Sequence, residues 1–165
     1  MKRLLIVRHA KSSWDFPHLS DFERPLNNRG KNDAPDMAKR FLEAGINIQQ
    51  LISSPANRAL STAREFAREL GFAKEEIIED ENHYHASSSA LRSMVRHFDN
   101  EFDSIMIFGH NPGLTYLINE LSDFRLDNLP TCGVCGIEFP VNSWKQIEKR
   151  SGKKFYYDFP KSVMS

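Results

Sequence analysis

Two stretches of the chain are apolar without a polar break: "LLIV" at residues 4–7 and "IMIF" at residues 105–108. Unbroken runs of this length are expected of strands covered on both faces. Elsewhere the apolar positions follow a helical period. Met37, Ala38, Phe41 and Leu42 share one face of a helix. In "SSPANRALSTAREFAREL", residues 53–70, Ala59, Leu60, Ala63, Phe66, Ala67 and Leu70 form an apolar stripe. Ser54 is placed to cap that helix, Pro55 to open it and Gly71 to end it. Leu51-Ile52 and Ile77-Ile78 are short strand candidates. Residues 87–98 predict a helix with Leu91, Met94, Val95 and Phe98 inward. "GHNPG" then turns the strand at 105–108 into a helix bearing Leu114, Leu117, Ile118 and Leu121. From about Cys132 the tail predicts two strands, "GVCGIEF" and "KKFYYDF". Strands alternating with helices predict an α/β fold, a three-layer sandwich whose mostly parallel central sheet has helices on both faces. Its 165 residues fit a single domain, 1–165.

Composition narrows the function. Lys and Arg together number 22, as do Asp and Glu, so the formal net charge is zero. Bulk charge therefore gives no reason to expect nucleic acid or a membrane surface as partner. No apolar run approaches the ~20 residues of a membrane span. The apolar run in "MKRLLIVRH" is shorter than the roughly 7–15 residues of a signal peptide. Two cysteines are too few for a disulfide scaffold. A soluble, cytoplasmic protein is expected.

The candidate chemistry gathers where strands end. Ligands of open α/β sheets bind beyond the carboxyl ends of the strands. The first strand runs into Arg8 and His9, the second leads to Arg58, and the strand at 105–108 ends at His110. Asn111 is the expected cap of the following helix, with Pro112 at its first position. Helix N-termini attract anions, and the planar fork of arginine suits two phosphate oxygens. Two arginines and two histidines at one sheet edge describe a pocket for a phosphoryl dianion.

Four motifs occur in an order that resembles the histidine phosphatase (phosphoglycerate mutase-like) superfamily. "RHAKSSWD" resembles its "RHGESxWN", "RPLNNRGKNDA" its "xPLSxxGxxEA", and "SSPANRALSTA" its "SSxxxRAxxTA"; "IFGHNPGLTYLI" is similar to the strand carrying the second histidine. The wording "RHAKS", "D-x-x-RPL" (Asp21 to Leu26) and "GHNPG" most resembles the SixA-type phosphohistidine phosphatases. The resemblance implies a metal-independent phosphatase without cofactor, in which His9 is the nucleophile, Arg8, Arg58 and His110 surround the phosphoryl group, and Ser12 contacts it. Asn111, Asp21 and Arg24 are further candidates for substrate binding. "EDENHYHAS" is similar to the family's "NERHYG", which implies Glu81 as general acid, with Asp80 or His83 as alternatives by a small register shift. Only 29 positions separate Glu81 from His110, too few for the helical lid of larger members, so an open pocket is expected.

Two positions depart from the mutase-type motif. Ala10 replaces glycine, which requires a backbone that does not need positive φ. Asp15 replaces asparagine and is expected to face away from phosphate. Cys132 and Cys135 form a Cys-x-x-Cys, but glycines surround it and no helix follows, so buried strand cysteines are expected rather than a redox or zinc site. Lys11 and Thr131 are candidates for the pocket mouth, and Trp14, Phe16 and Phe22 give the loop after His9 unusual apolar weight. The substrate expected is phosphohistidine in a protein, such as a signalling phosphotransfer protein. The alternative is a small phosphorylated metabolite such as a sugar phosphate.

Overall fold

The computed structural model describes residues 1–162. Six strands form one sheet: β1 (Lys2–Arg8), β2 (Gln50–Ser53), β3 (Ile78–Glu79), β4 (Ser104–Gly109), β5 (Val134–Phe139) and β6 (Lys153–Asp158). Their order across the sheet is β3-β2-β4-β1-β5-β6. The first four strands in that order run parallel, and β5 and β6 add an antiparallel edge. Helices α1 (Asn28–Glu43) and α2 (Asn57–Leu70) cover one face; α3 (Ser88–Arg96) and α4 (Gly113–Leu121) cover the other.

The two faces explain why β1 and β4 are unbroken apolar runs. Leu5 and Val7 pack with Met37, Phe41, Ala63 and Phe66. Leu4 and Ile6, pointing the other way, pack with Leu91, Leu114, Leu117 and Ile118. Strand side chains alternate with period two, so a strand between two helical layers has no face left for polar residues. Burying each such side chain stabilises by about 1.5–3 kcal/mol.

Some expected boundaries shift for local reasons. Helix α2 opens at Asn57, not Pro55, with Ala56 at its cap position and no side-chain cap. Ser54 stays extended because its N–H donates to the Phe108 carbonyl at 2.9 Å, continuing the sheet ladder. Helix α4 opens at Gly113 with Pro112 at its cap position. Asn111 still serves that end, its Oδ1 accepting from Thr115 N (3.2 Å) and Thr115 Oγ1 (2.8 Å). Leu42 is exposed, off the buried face of Met37, Ala38 and Phe41. Ile77 enters the core while Ile78, in the edge strand β3, does not.

Cys132 and Cys135 are buried free thiols in opposite layers, one in each core. Burial pushes both upward, Cys135 to about 12, so neither is a ready thiolate. No group of three or more His, Cys, Asp or Glu among the described residues could hold a metal ion. No helix among them is long and apolar enough to cross a membrane.

Candidate active site

The parallel strands deliver their carboxyl ends to one edge. Arg8 pairs with Gly109 across β1 and β4, so His9 and His110, one residue further, emerge side by side. The His9 N–H donates to the Gly109 carbonyl at 3.1 Å, and the two imidazole centroids lie 5.3 Å apart.

His9 is buried, and its Nδ1 lies 2.7 Å from the Ala10 carbonyl oxygen. A carbonyl can only accept, so Nδ1 carries the proton and Nε2 keeps its lone pair. Burial pushes the pKa of His9 down to about 3; the Ala10 bond opposes this, and Arg58, Arg8 and Arg24 add to it. The imidazole is therefore neutral at physiological pH, as a nitrogen nucleophile must be. Ala10 is not among the residues with positive φ, so the glycine-to-alanine departure carries no strain. Its N–H donates to Thr62 Oγ1 (2.9 Å), which itself donates to the Arg58 carbonyl (2.8 Å). Thr62 thus fastens the loop after His9 to the helix that bears Arg58.

Gly30 is required by a close approach. A Cβ there would stand 2.2 Å from the Lys11 carbonyl oxygen, so α1 packs directly on the loop after His9.

Around His9 lies an open cleft of about 330 Å³. Its lining includes Arg8, Ser12, Asp21, Arg24, Arg58, His110 and Asn111, all predicted from sequence, together with Lys11 and Thr131 at the mouth. Arg8 Nη1 donates to the Leu129 carbonyl at 3.0 Å. Arg58 Nη1 and Nη2 donate to the Asp21 carbonyl (2.7 Å) and Asp21 Oδ2 (3.0 Å). Arg24 Nη1 donates to Ser12 Oγ at 2.7 Å, and its Nε and Nη2 reach Asp21 Oδ1. His110 Nε2 lies 2.8 Å from Ser54 Oγ. Ser54 Oγ accepts from Ala56 N and still has a proton to give; when it donates to Nε2, the His110 proton sits on Nδ1.

In that tautomer three buried donors at the cleft, Arg8 Nε, Arg58 Nε and His110 Nδ1, meet no acceptor among the described residues. Such groups cost about 1–3 kcal/mol each when unpaired, and a phosphoryl oxyanion is an acceptor that fits them. Asp21 is the fixed counter-ion of this cluster. Its partial burial favours the neutral acid, but the Tyr84 hydroxyl (2.6 Å) and the Arg58 and Arg24 guanidiniums outweigh that and hold its carboxyl well below the usual carboxylate range.

Sequence reasoning does not recover every member. His85 lines the cleft with Nε2 at 3.1 Å from Asp21 Oδ2, and Trp14 lines it with its ring 3.6 Å from the Arg24 guanidinium. Conversely, Glu81 sits exposed in a short 3-10 turn (Glu81–His83) and does not line the cleft. Asp80 caps that turn, accepting from Asn82 N. His83 is 2 % exposed and buried away from the cleft, with neither ring nitrogen paired; burial pushes its pKa down to about 4. Asp15 is exposed and outside the cleft, as expected. The Asn111 side chain is fully engaged: besides serving α4, its Nδ2 donates to Asn128 Oδ1 and the Leu129 carbonyl. It holds the loop to which Arg8 is tied and leaves no free donor for substrate.

The model of the histidine phosphatase superfamily (branch 1) matches residues 4–83, the segment carrying Arg8, His9 and Arg58. An uncharacterized chloroplastic protein of Arabidopsis thaliana is 29% identical over 164 residues, covering 92% of this chain and 72% of that protein. Among solved structures, SixA from Agrobacterium tumefaciens superposes with a TM-score of 0.80 at 23% identity, covering 96% of this chain and 98% of that one. The protein histidine phosphatase SixA complexed with tungstate gives 0.81 at 20% identity, covering 96% and 97%. A mycobacterial glucosyl-3-phosphoglycerate phosphatase gives 0.67 at 13% identity, covering 91% and 97%. The order of the motifs and the match over residues 4–83 make this chain similar to the histidine phosphatase superfamily (branch 1), and its fold is SixA-like.

Proposed function

We propose that the chain hydrolyses phosphohistidine carried on a protein, by way of a phosphoryl group held on His9. His9 Nε2 attacks phosphorus in line, and the phosphorus–nitrogen bond to the departing imidazole breaks. Arg8, Arg58 and His110 Nδ1–H take the charge spread over the equatorial oxygens. Water then attacks phosphorus, the bond to His9 breaks, and orthophosphate leaves with the imidazole restored.

The observation that carries the choice of substrate is the state of Asp21. Among the described residues it is the only carboxyl lining the cleft, and its partners keep it ionised. An alkoxide leaving group needs a proton from an acid, which Asp21 cannot supply. A phosphohistidine protonated on its second ring nitrogen departs as neutral imidazole, whose conjugate acid has a pKa of roughly 6.5, so it brings its own proton and needs no acid from the cleft. The mouth also suits a protein: Trp14, 74% exposed, stands at its rim, with Phe16 and Phe22 exposed on the same loop. We take the donor to be a phosphotransfer protein and the setting to be cytoplasmic; the two unpaired thiols fit a reducing compartment.

A second reading, a phosphomonoesterase for a small metabolite, is favoured by His85. Its imidazole lines the cleft and can carry a proton to an alkoxide. Steady-state kinetics on a histidine-phosphorylated peptide, free phosphohistidine and a panel of sugar phosphates separate the two. The proposal expects kcat/KM on the phosphohistidine compounds to exceed that on every sugar phosphate. A sugar phosphate turned over faster than both would retire it.

A further inference from the structure

Of the three large aromatic side chains exposed between His9 and Arg24, Trp14 alone lines the catalytic cleft. Phe16 packs edge-on against His18 and Phe22 against Tyr84, and neither reaches the cleft. The Trp14 ring lies over the Arg24 guanidinium at 3.6 Å, a cation–π contact. Arg24 is itself buried and fixed. Its Nη1 donates to Ser12 Oγ (2.7 Å) and the Ser13 carbonyl (3.2 Å), while Nε and Nη2 reach Asp21 Oδ1. The Ser13 N–H donates to the Pro25 carbonyl at 2.8 Å and pins the backbone just before Trp14. The indole therefore rests on a fixed plane, one guanidinium away from Ser12, and is still 74% exposed.

An in-line displacement places the leaving group on the side of phosphorus opposite the attacking atom. His9 is buried and Trp14 exposed, yet both line the same cleft, so the cleft runs outward from the imidazole to the indole. A group departing opposite His9 Nε2 moves towards that outer end. The other exposed ring in the cleft, His85, is already engaged: its Nε2 lies 3.1 Å from Asp21 Oδ2, and its ring packs on Tyr84 with centroids 4.0 Å apart. Trp14 thus offers the freer aromatic surface to whatever leaves.

We infer that Trp14, backed by Arg24, is a specificity-determining residue: a stacking platform for the flat ring of the leaving group, the imidazole of phosphohistidine. The inference rests on the phosphohistidine reading above. Stacking is made by the bound substrate and persists while the phosphorus–nitrogen bond breaks, so it acts as uniform binding and is read in KM more than in kcat. A donor without a ring gains nothing from it. If the indole served only to cover Arg24, its loss would weaken every phosphorylated substrate alike.

The test compares two donors with the same phosphorus–nitrogen bond: free phosphohistidine, which loses an imidazole, and phosphoramidate, which loses ammonia. Steady-state kinetics are measured on the wild-type chain, on Trp14→Leu, which keeps apolar bulk over Arg24 but has no aromatic face, and on Trp14→Phe, which keeps one. The quantity read is the ratio of kcat/KM on phosphohistidine to kcat/KM on phosphoramidate. A ratio does not depend on the fraction of folded enzyme, so a loss of stability cannot imitate the effect. Trp14→Leu should lower the ratio about three- to tenfold, the range of one aromatic pair, chiefly through KM for phosphohistidine. Trp14→Phe should restore most of it. A ratio unchanged in Trp14→Leu, whether both donors are hydrolysed as before or both more slowly, would overturn the platform and leave the phosphohistidine reading standing. So would a Trp14→Phe ratio as low as that of Trp14→Leu. A wild-type chain that hydrolyses phosphoramidate but not phosphohistidine would overturn that reading, and the imidazole platform with it.

Discussion

Thr62→Val removes one hydroxyl at the hinge between the proposed nucleophile, His9, and the proposed phosphate clamp, Arg58. Valine nearly matches threonine in shape, so the core around it, where Thr62 is fully buried, has little reason to rearrange. What is lost is the acceptor of the Ala10 N–H and the donor to the Arg58 carbonyl. A buried N–H without a partner costs about 1–3 kcal/mol. For a chain of this length each kcal/mol lowers Tm by roughly 2–4 °C, so a fall of about 2–12 °C is expected. The catalytic effect should be larger than the loss of stability suggests. The Ala10 carbonyl fixes the His9 tautomer, and a peptide free to rotate there misaims Nε2. Misplacement by about 1 Å can cost ~100-fold in rate, so kcat should fall about 10- to 100-fold. KM should move little, because Arg8, Arg58 and His110 remain. Thermal unfolding and steady-state kinetics on a small phosphoramidate read both quantities, and Thr62→Ser, which keeps the hydroxyl, should restore most of each. A Thr62→Val protein with wild-type kcat and Tm would refute the positioning role.

Other expectations concern burial, packing and the assignment of the acid. His83 is neutral in the fold, with its pKa pushed by burial to about 4 against about 6.5 in the unfolded chain, so below pH ~6.5 the unfolded state gains a proton that the fold refuses. Stability should fall as pH drops from about 6.5 towards 4, by up to ~1.4 kcal/mol per pH unit for this residue, with His9 contributing in the same direction down to about 3. His83→Leu should therefore raise the urea midpoint more at pH 5 than at pH 7.5; an equal change at both would exclude the linkage. Gly30→Ala places a methyl group 2.2 Å from the Lys11 carbonyl oxygen and should both lower Tm and raise KM, since the displaced loop carries Ser12; unchanged values would mean that α1 yields freely. Glu81→Gln, at an exposed site outside the cleft, should leave kcat/KM on phosphohistidine and on an alkyl phosphate within about twofold of wild type, the scatter usual for surface changes. A selective loss on the alkyl phosphate would restore Glu81 as the acid.

The strands and the place of His9 at their carboxyl edge were legible because their signals are local. An unbroken apolar run ending in Arg8-His9 needs nothing from elsewhere in the chain to be read as a buried strand feeding a ligand edge. The same holds for the run ending at His110. What escaped depends on contacts between distant segments. Thr62 meets Ala10 across 52 positions, and Tyr84 and His85 meet Asp21 across 63 and 64. Nothing in the immediate sequence of these residues marks the partner. Thr62 had one usable signal, its place four residues after Arg58, which puts it on the same face of α2. Ser54 was misread for the opposite reason: its local chemistry favours a helix cap, but the tertiary bond to His110 takes the hydroxyl. Glu81 followed from motif register alone, and the turn that holds it faces solvent. The cysteines show how spacing misleads, since three positions along the chain place them in opposite core layers.

The central claim is that His9 Nε2 carries the phosphoryl group. The direct measurement is to incubate the protein briefly with a 32P-labelled phosphoramidate, quench in base and map the label. The account predicts an acid-labile, base-stable phosphate on His9 alone, lost in His9→Ala together with turnover. Label on another residue, or turnover that survives His9→Ala, would contradict it.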